Sequence, residues 1–248
     1  MLRLLCVTAH PDDEAGFGGT LLLSKRRGIE TYVTCLTPGQ AASHRGEART
    51  SEELAAIRRK EFAASCALLQ VTRAEVLDYP DGRLDKLNFY EVVADLTRRI
   101  REIKPHVMLS YGTEGAITAH PDHSMASIFA TAAFQWAGRS NRFAEQFQNE
   151  SKPWRPRKLY YVTSQFILPE RQPVALPPVT AFIDIGQDGM ERKIEAFKMH
   201  KTQSPLHPIF ETNARRHGAT ERFHLVASTD IREVKIEHDL FAGIEDGE

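Results

Sequence analysis

Two short stretches of the 248-residue chain hold residues whose types and spacing could do chemistry together. One is "AHPDDE" (9–14), with His10, Asp12, Asp13 and Glu14. The other is "HPDH" (120–123), with His120, Asp122 and His123. Three adjacent carboxylates behind an apolar run repel one another and lose hydration. A bound cation offsets that cost, because its charge inverts the local protonation preference. His10 and Asp13 lie three apart at a strand-to-helix turn, so both can point at one ion, with Asp12 beside them. A third ligand must come from elsewhere, and His123 is the best candidate. Two histidines and one carboxylate with an open position form a catalytic zinc pattern. Such an ion lowers the pKa of its water to about 7.

Each stretch also has a plainer explanation. An acidic triplet at a helix N-terminus is favourable through the helix dipole alone. A second histidine-rich stretch behind another strand tips the balance toward a metal site. A non-catalytic nucleotide-binding module is a competing reading, prompted by Gly16, Gly18 and Gly19. The dinucleotide pattern fails because Leu21 stands where its last glycine belongs, and the carboxylates would repel a pyrophosphate. The glycines then serve close helix–sheet packing. A non-haem iron oxygenase uses a similar donor set, usually on a β jelly roll.

The elements that must position these residues alternate. "LRLLCVTA" (2–9) reads as a strand, and "DEAGFGGTLLLSKRRG" as a helix stopped by Gly28. "ETYVTCLT" (30–37) is a second strand. Thr50 and Glu53 form a capping box for a helix from Ser51. A third strand covers 74–80. Asn88 caps a helix closed by Pro105, and 106–111 is a fourth strand. "GTEGAITAHPDH" reads as a loop running into a helix from Ser124. This rhythm predicts an α/β fold, Rossmann-like, with a mostly parallel sheet and helices on both faces. Ligands of such sheets bind at the carboxyl ends of the strands, where both stretches fall. Further on, 139–157 is a polar loop, either a lid or a contact in a homo-oligomer. "KLYYVTS" and "VTAFIDI" are strands, and "MERKIEAFKMHKTQ" is a helix. The expected organisation is one domain over 1–248, with a core of about 1–138 and a C-terminal extension of about 158–241.

Composition bounds the partners. The formal charge is -1, hydrophobic residues make up 42% and charged residues 26%. Nothing suggests a nucleic-acid footprint, and no apolar run approaches the roughly 20 residues that span a bilayer. Cys6, Cys35 and Cys66 each sit in apolar surroundings, as buried thiols in a reducing cytoplasm would.

"AHPDDE" with "GGTL", then "TPGQ", "IRRKEFAASCALL", "YPDG", "HPDH" and a late "MHKTQ", resembles the LmbE/PIG-L family of zinc-dependent N-deacetylases. The resemblance runs over about 2–135 and resumes at 199–203. It implies a Rossmann-like domain with a C-terminal extension and one Zn2+ per chain. It also implies hydrolysis of an N-acetylated amino-sugar or sugar conjugate, with cleavage of a related amide (a sugar-thiol conjugate) as the alternative. Carried onto this chain, it makes His10, Asp13 and His123 the metal ligands and Asp12 the general base. His120, protonated, steadies the oxyanion or protonates the amine, and Asp122 orients His120. Arg58 and Asp81 contact the sugar, although Arg58 also fits a solvated charge and Asp81 a turn residue before Gly82. His200 and Gln203 fit the late motif without an assigned role. One departure stands out: three residues separate Glu14 from Gly18, where the family has four.

Overall fold

In a computed structural model of the chain, residues 1–147, 152–163, 175–230 and 233–245 are described. The apolar run near the N-terminus becomes β1 (Arg3–Thr8), buried along nearly its whole length. Burial on both faces explains why this strand reads as continuous hydrophobic sequence rather than as an alternation. β2 (Glu30–Cys35), β3 (Arg73–Val76), β4 (Val107–Tyr111), β5 (Lys158–Val162), β6 (Ala181–Asp184) and β7 (Thr220–Ser228) complete one sheet in the order β3-β2-β1-β4-β5-β7-β6. The pairs from β3 through β5 are parallel, and β7 runs antiparallel to both β5 and β6. The fold is therefore α/β with a mostly parallel sheet, and no jelly-roll frame for an oxygenase is present among the described residues.

Among the described residues, six α-helices cover the sheet: α1 (Gly18–Arg26), α2 (Ser51–Leu68), α3 (Phe89–Ile103), α4 (Pro121–Ala137), α5 (Gly186–Lys198) and α6 (His207–His217). α5 packs on α1 and α2, while α3 packs on α4. Right-handed crossovers put these two groups on opposite faces. The Thr50–Glu53 capping box and the Asn88 cap both form. None of the described helices is long and apolar enough to cross a membrane. All three cysteines are buried and free.

β1 leads sideways to β2, whereas its neighbour β4 leads the other way to β5. The crevice between their carboxyl ends is the switch point where such folds bind ligands. "AHPDDE" follows β1 and "HPDH" follows β4, so both stretches reach that crevice.

Several expectations change. α4 starts at Pro121, so Asp122 and His123 lie in its first turn rather than in a loop; proline suits the first helical position because its missing N–H has no partner there anyway. β3 is shorter than 74–80. The helix expected over 190–203 ends at Lys198, and "KTQ" enters a separate 3₁₀ turn, Lys201–Leu206, that contains Pro205. α6 and β7 were not expected at all. Gly18 and Gly19 admit α5 rather than the sheet: a Cβ on Gly19 would stand 2.3 Å from Ile185 Cδ1. β7 also reaches back to α1, where the Glu221 carboxylate accepts the Gly19 and Thr20 N–H groups at 3.1 and 2.9 Å. Within the 139–157 segment, Ala144–Phe147 forms a 3₁₀ turn and Trp154 Nε1 donates to Pro105 O. Residues 148–151 of that segment, 164–174, 231–232 and 246–248 lie outside the described residues.

Candidate metal and proton-transfer site

The chain turns sharply after β1. Asp12 takes φ +125°, a conformation an L-residue rarely adopts, at a cost of order 1–3 kcal/mol. Four contacts hold it there. The Asp12 N–H donates to Glu14 Oε2 at 2.9 Å, and its carbonyl accepts from Ala15 N at 3.2 Å. Arg58 donates to Pro11 O and, at 3.1 Å, to Asp12 Oδ2. Asp13, one residue on, folds its carboxylate back so that Oδ2 accepts the N–H groups of Ala9 (3.1 Å) and His10 (2.7 Å).

Three donor atoms converge beside this turn. His10 Nδ1 lies 3.2 Å from His123 Nε2 and 3.6 Å from Asp13 Oδ2, and His123 Nε2 lies 3.2 Å from Asp13 Oδ1. The far nitrogens are already engaged. His10 Nε2 donates to Asp81 Oδ1 at 3.0 Å, with Asp122 Oδ2 at 3.4 Å, and His123 Nδ1 donates to Gly115 O at 3.1 Å. With those protons assigned, two imidazole lone pairs and a carboxylate face one point. That arrangement is repulsive without a cation, and it is the second-sphere pattern that orients ligating histidines. Ligands about 2.0–2.1 Å from a tetrahedral ion stand roughly 3.3 Å apart, which the observed spacings match. The donor set thus fits a metal.

A second grouping, His10, His120 and Asp122, also lies close together. It fits less well, because its atoms are spent. Asp122 accepts from Gly82 N (2.7 Å) and Leu84 N (3.2 Å), and His120 Nδ1 accepts from Asp122 N at 3.1 Å.

Protonation follows from these contacts. Burial alone would lower the His10 pKa; hydrogen bonds to Asp122 and Asp81 and the Asp13 charge outweigh it and raise the pKa to about 10. Burial opposes ionisation of Asp13, but His123 and His10 hold its pKa below the usual carboxylate range. Asp12 goes the other way: burial raises it, Arg58 pulls it back, Asp13 raises it again, and it settles near 6. Neighbouring carboxylates with divergent pKa values suit divergent jobs. His120 is lowered by burial and by His10 and His123.

These contacts bear on four expected roles. Asp122 orients His120 through its backbone N–H, while its carboxylate serves His10. His120 Nδ1 accepts a hydrogen bond at a helix N-terminus, which favours a neutral ring with its proton on Nε2, where the resemblance implies a protonated one. Arg58 is 3% exposed and donates through Nη1 and Nη2 to Pro11 O, Gly39 O and Asp12, while its buried Nε has no partner among the described residues. Gly39 of "TPGQ" makes that approach possible, since a Cβ there would stand 2.3 Å from Arg58 Nη1. Asp81 accepts from His10 Nε2 and from the Ala41 N–H (2.8 Å).

Sequence reasoning missed two partners. Tyr111, at the end of β4, stacks on His123 with ring centroids 4.3 Å apart. Glu14 pairs with His200 across the fold, His200 Nε2 to Glu14 Oε1, at 2.6 Å. Near His200, Thr202 bonds Glu61 of α2 and Gln203 donates to His44 O, so the late motif ties together the site's turn, α2 and the 38–49 loop.

A family model described as "GlcNAc-PI de-N-acetylase", PIG-L, matches residues 5–134. The chain belongs to the PIG-L family. As a member it is a metal-dependent amide hydrolase. Among its relatives is a 1D-myo-inositol 2-acetamido-2-deoxy-alpha-D-glucopyranoside deacetylase of Rhodococcus jostii, 28% identical over 98% of each chain. A mycothiol S-conjugate amidase of Streptomyces coelicolor is 28% identical over 64% of this chain and 60% of its own. Among solved structures, the N,N'-diacetylchitobiose deacetylase of Pyrococcus horikoshii superposes with a TM-score of 0.74 at 26% identity, covering 90% of this chain and 83% of that one.

Proposed function

We propose that the chain removes the acetyl group from an N-acetylated amino-sugar or sugar conjugate, holding one zinc ion through His10, Asp13 and His123. The observation that carries this reading is the convergence of His10 Nδ1, His123 Nε2 and Asp13 Oδ1 beside Asp12. The acetamido sugars named for the Rhodococcus and Pyrococcus relatives support the substrate class.

When bound, the ion supplies Lewis acidity, lowering the pKa of water to about 7 and polarising the acetyl carbonyl. Asp12 takes a proton from the attacking water; a carboxylate held near 6 accepts it at neutral pH and can release it again. His120 offers its Nε2–H to the oxygen that becomes negative, as a neutral donor that needs no recharging. Asp12 then passes its proton to the departing nitrogen, so that water and amide become acetate and free amine. Asp81, Asp122 and Gly115 O keep the two histidines aimed. A reducing cytoplasm suits the three buried free thiols.

The test is amine release from a panel of N-acetylated sugars, sugar-thiol conjugates and acetyl-peptides, with and without a chelator. Turnover of an acetylated sugar that stops on chelation and returns with zinc supports the reading. Acetyl-peptides cleaved faster than every sugar would overturn the substrate class.

A further inference from the structure

Glu14 and His200 are both completely enclosed, and neither contributes to the converging donor set. Their contacts nevertheless lead to Asp12. Glu14 Oε2 accepts the Asp12 N–H at 2.9 Å. Glu14 Oε1 accepts from Ser65 Oγ on α2 and from His200 Nε2 at 2.6 Å, from a residue 186 positions away. The far nitrogen of His200, Nδ1, is buried without a hydrogen-bond partner among the described residues, so the ring's polar contact is spent on Glu14.

This chain of contacts bears on a strained residue. Asp12 at φ +125° would relax toward negative φ if released, and its peptide N–H and carboxylate would swing with it. Arg58 grips the carboxylate and the preceding carbonyl, but among the described residues only Glu14 grips the N–H. A glutamate with one free oxygen could rotate away. With Oε1 tied to His200 and Ser65, it cannot.

We propose that Glu14 and His200 are positioning residues forming a buried clamp that holds the Asp12 backbone, and thereby aims the Asp12 carboxylate at the reacting water. This rests on Asp12 being the base. Neither residue touches substrate; both act through Asp12. A wholly structural pair would affect folding or zinc binding, whereas a clamp affects kcat at constant zinc content.

The experiment compares two pairs of variants of the full chain loaded with zinc, reading kcat, KM and bound zinc on the acetylated sugars of the panel. Glu14→Met fills the same space with no acceptor, while Glu14→Gln keeps an oxygen for the Asp12 N–H. His200→Leu removes the donor to Glu14, while His200→Gln restores one. The clamp predicts that Glu14→Met and His200→Leu lose about 10–10²-fold in kcat, the usual cost of a misplaced group, with KM and zinc content close to wild type. Glu14→Gln and His200→Gln should recover most of that loss. Wild-type kcat in Glu14→Met and His200→Leu overturns the clamp. Equal damage in the Met and Gln variants, or a loss that tracks zinc content, does the same. If either apolar variant fails to fold, the other pair decides. The functional reading has its own control: full kcat in Asp12→Asn overturns the base assignment, whereas an inactive Asp12→Asn beside unaffected Glu14 and His200 variants overturns the clamp alone.

Discussion

His10 Nδ1 and His123 Nε2 face each other at 3.2 Å, each with its opposite nitrogen already donating to an acceptor. The acceptor for His10 is Asp81, a residue outside both histidine-rich stretches. Asp81→Asn should therefore weaken zinc binding by about 10–100-fold, the usual effect of losing an outer-sphere partner, and leave the fold intact. Competition with a chelating dye measures it. Unchanged affinity with a raised KM would return Asp81 to the sugar pocket.

Asp12 and Asp13 should part company on amidation. Asp12→Asn keeps shape and removes the proton acceptor, so zinc stays and kcat falls by roughly 10²–10⁴. Asp13→Asn loses an anionic ligand, so zinc affinity falls first, and excess zinc partly restores turnover. Titrating zinc against both variants, with bound metal and activity followed together, checks the assignment. Zinc loss in Asp12→Asn with retention in Asp13→Asn would mean that ligand and base are reversed.

The metal-free protein should lose stability as pH rises. Burial lowers the His10 pKa, but Asp122, Asp81 and Asp13 more than compensate and lift it to about 10, above the ordinary value near 6.5. Stability from this proton is complete below the unfolded pKa and disappears as pH rises through about 10. The urea midpoint of the metal-free chain should decline from pH 7 to 10, more steeply than that of the zinc-loaded chain. Zinc binding at pH 8 should also expel about one proton. Calorimetry in two buffers of different ionisation heat reads that number, and zero release would contradict the account.

Arg58 should act on the pH profile. Burial raises the Asp12 pKa, and the Arg58 guanidinium restrains the rise to about 6. The base works ionised, so activity falls as pH drops through its pKa, and bound zinc can only move that limb lower. Arg58→Gln removes the restraint, so the acid limb of kcat/KM should shift to higher pH. An unshifted limb with only KM raised would indicate a sugar contact instead.

Far from the site, Thr50→Ala should cost about 1 kcal/mol of stability through loss of the α2 cap, with kcat unchanged. Chemical denaturation and steady-state kinetics on one preparation test both halves.

The parallel half of the fold was legible because β1 and β4 are buried along nearly their whole length and its helices carry local caps at Thr50 and Asn88, whereas β3, with no buried residue, was read too long. α6 and β7 were not. α6 has no buried residue, and β7 has only Glu221 and Phe223 buried, so neither shows a strong apolar period. The ligand candidates were legible because His10 and Asp13 share one turn. The work of Arg58 and Asp81 was not, since their partners, Asp12 and His10, lie on other elements. Glu14 and His200 are 186 positions apart, and no local pattern announces that contact.

The Glu221 contact with α1 has a bearing on how the chain is made. Glu221 lies 202 positions after Gly19, and His200 follows Glu14 by almost as much. On the ribosome, the turn holding Asp12 and the start of α1 emerge 186 to 202 positions ahead of their closing partners. That turn is thus made long before it can be finished. A nascent chain stopped short of His200 carries every donor of the converging set but leaves Glu14 and the amides of α1 open to water. The turn and the start of α1 are closed only once His200 and Glu221 have both been made.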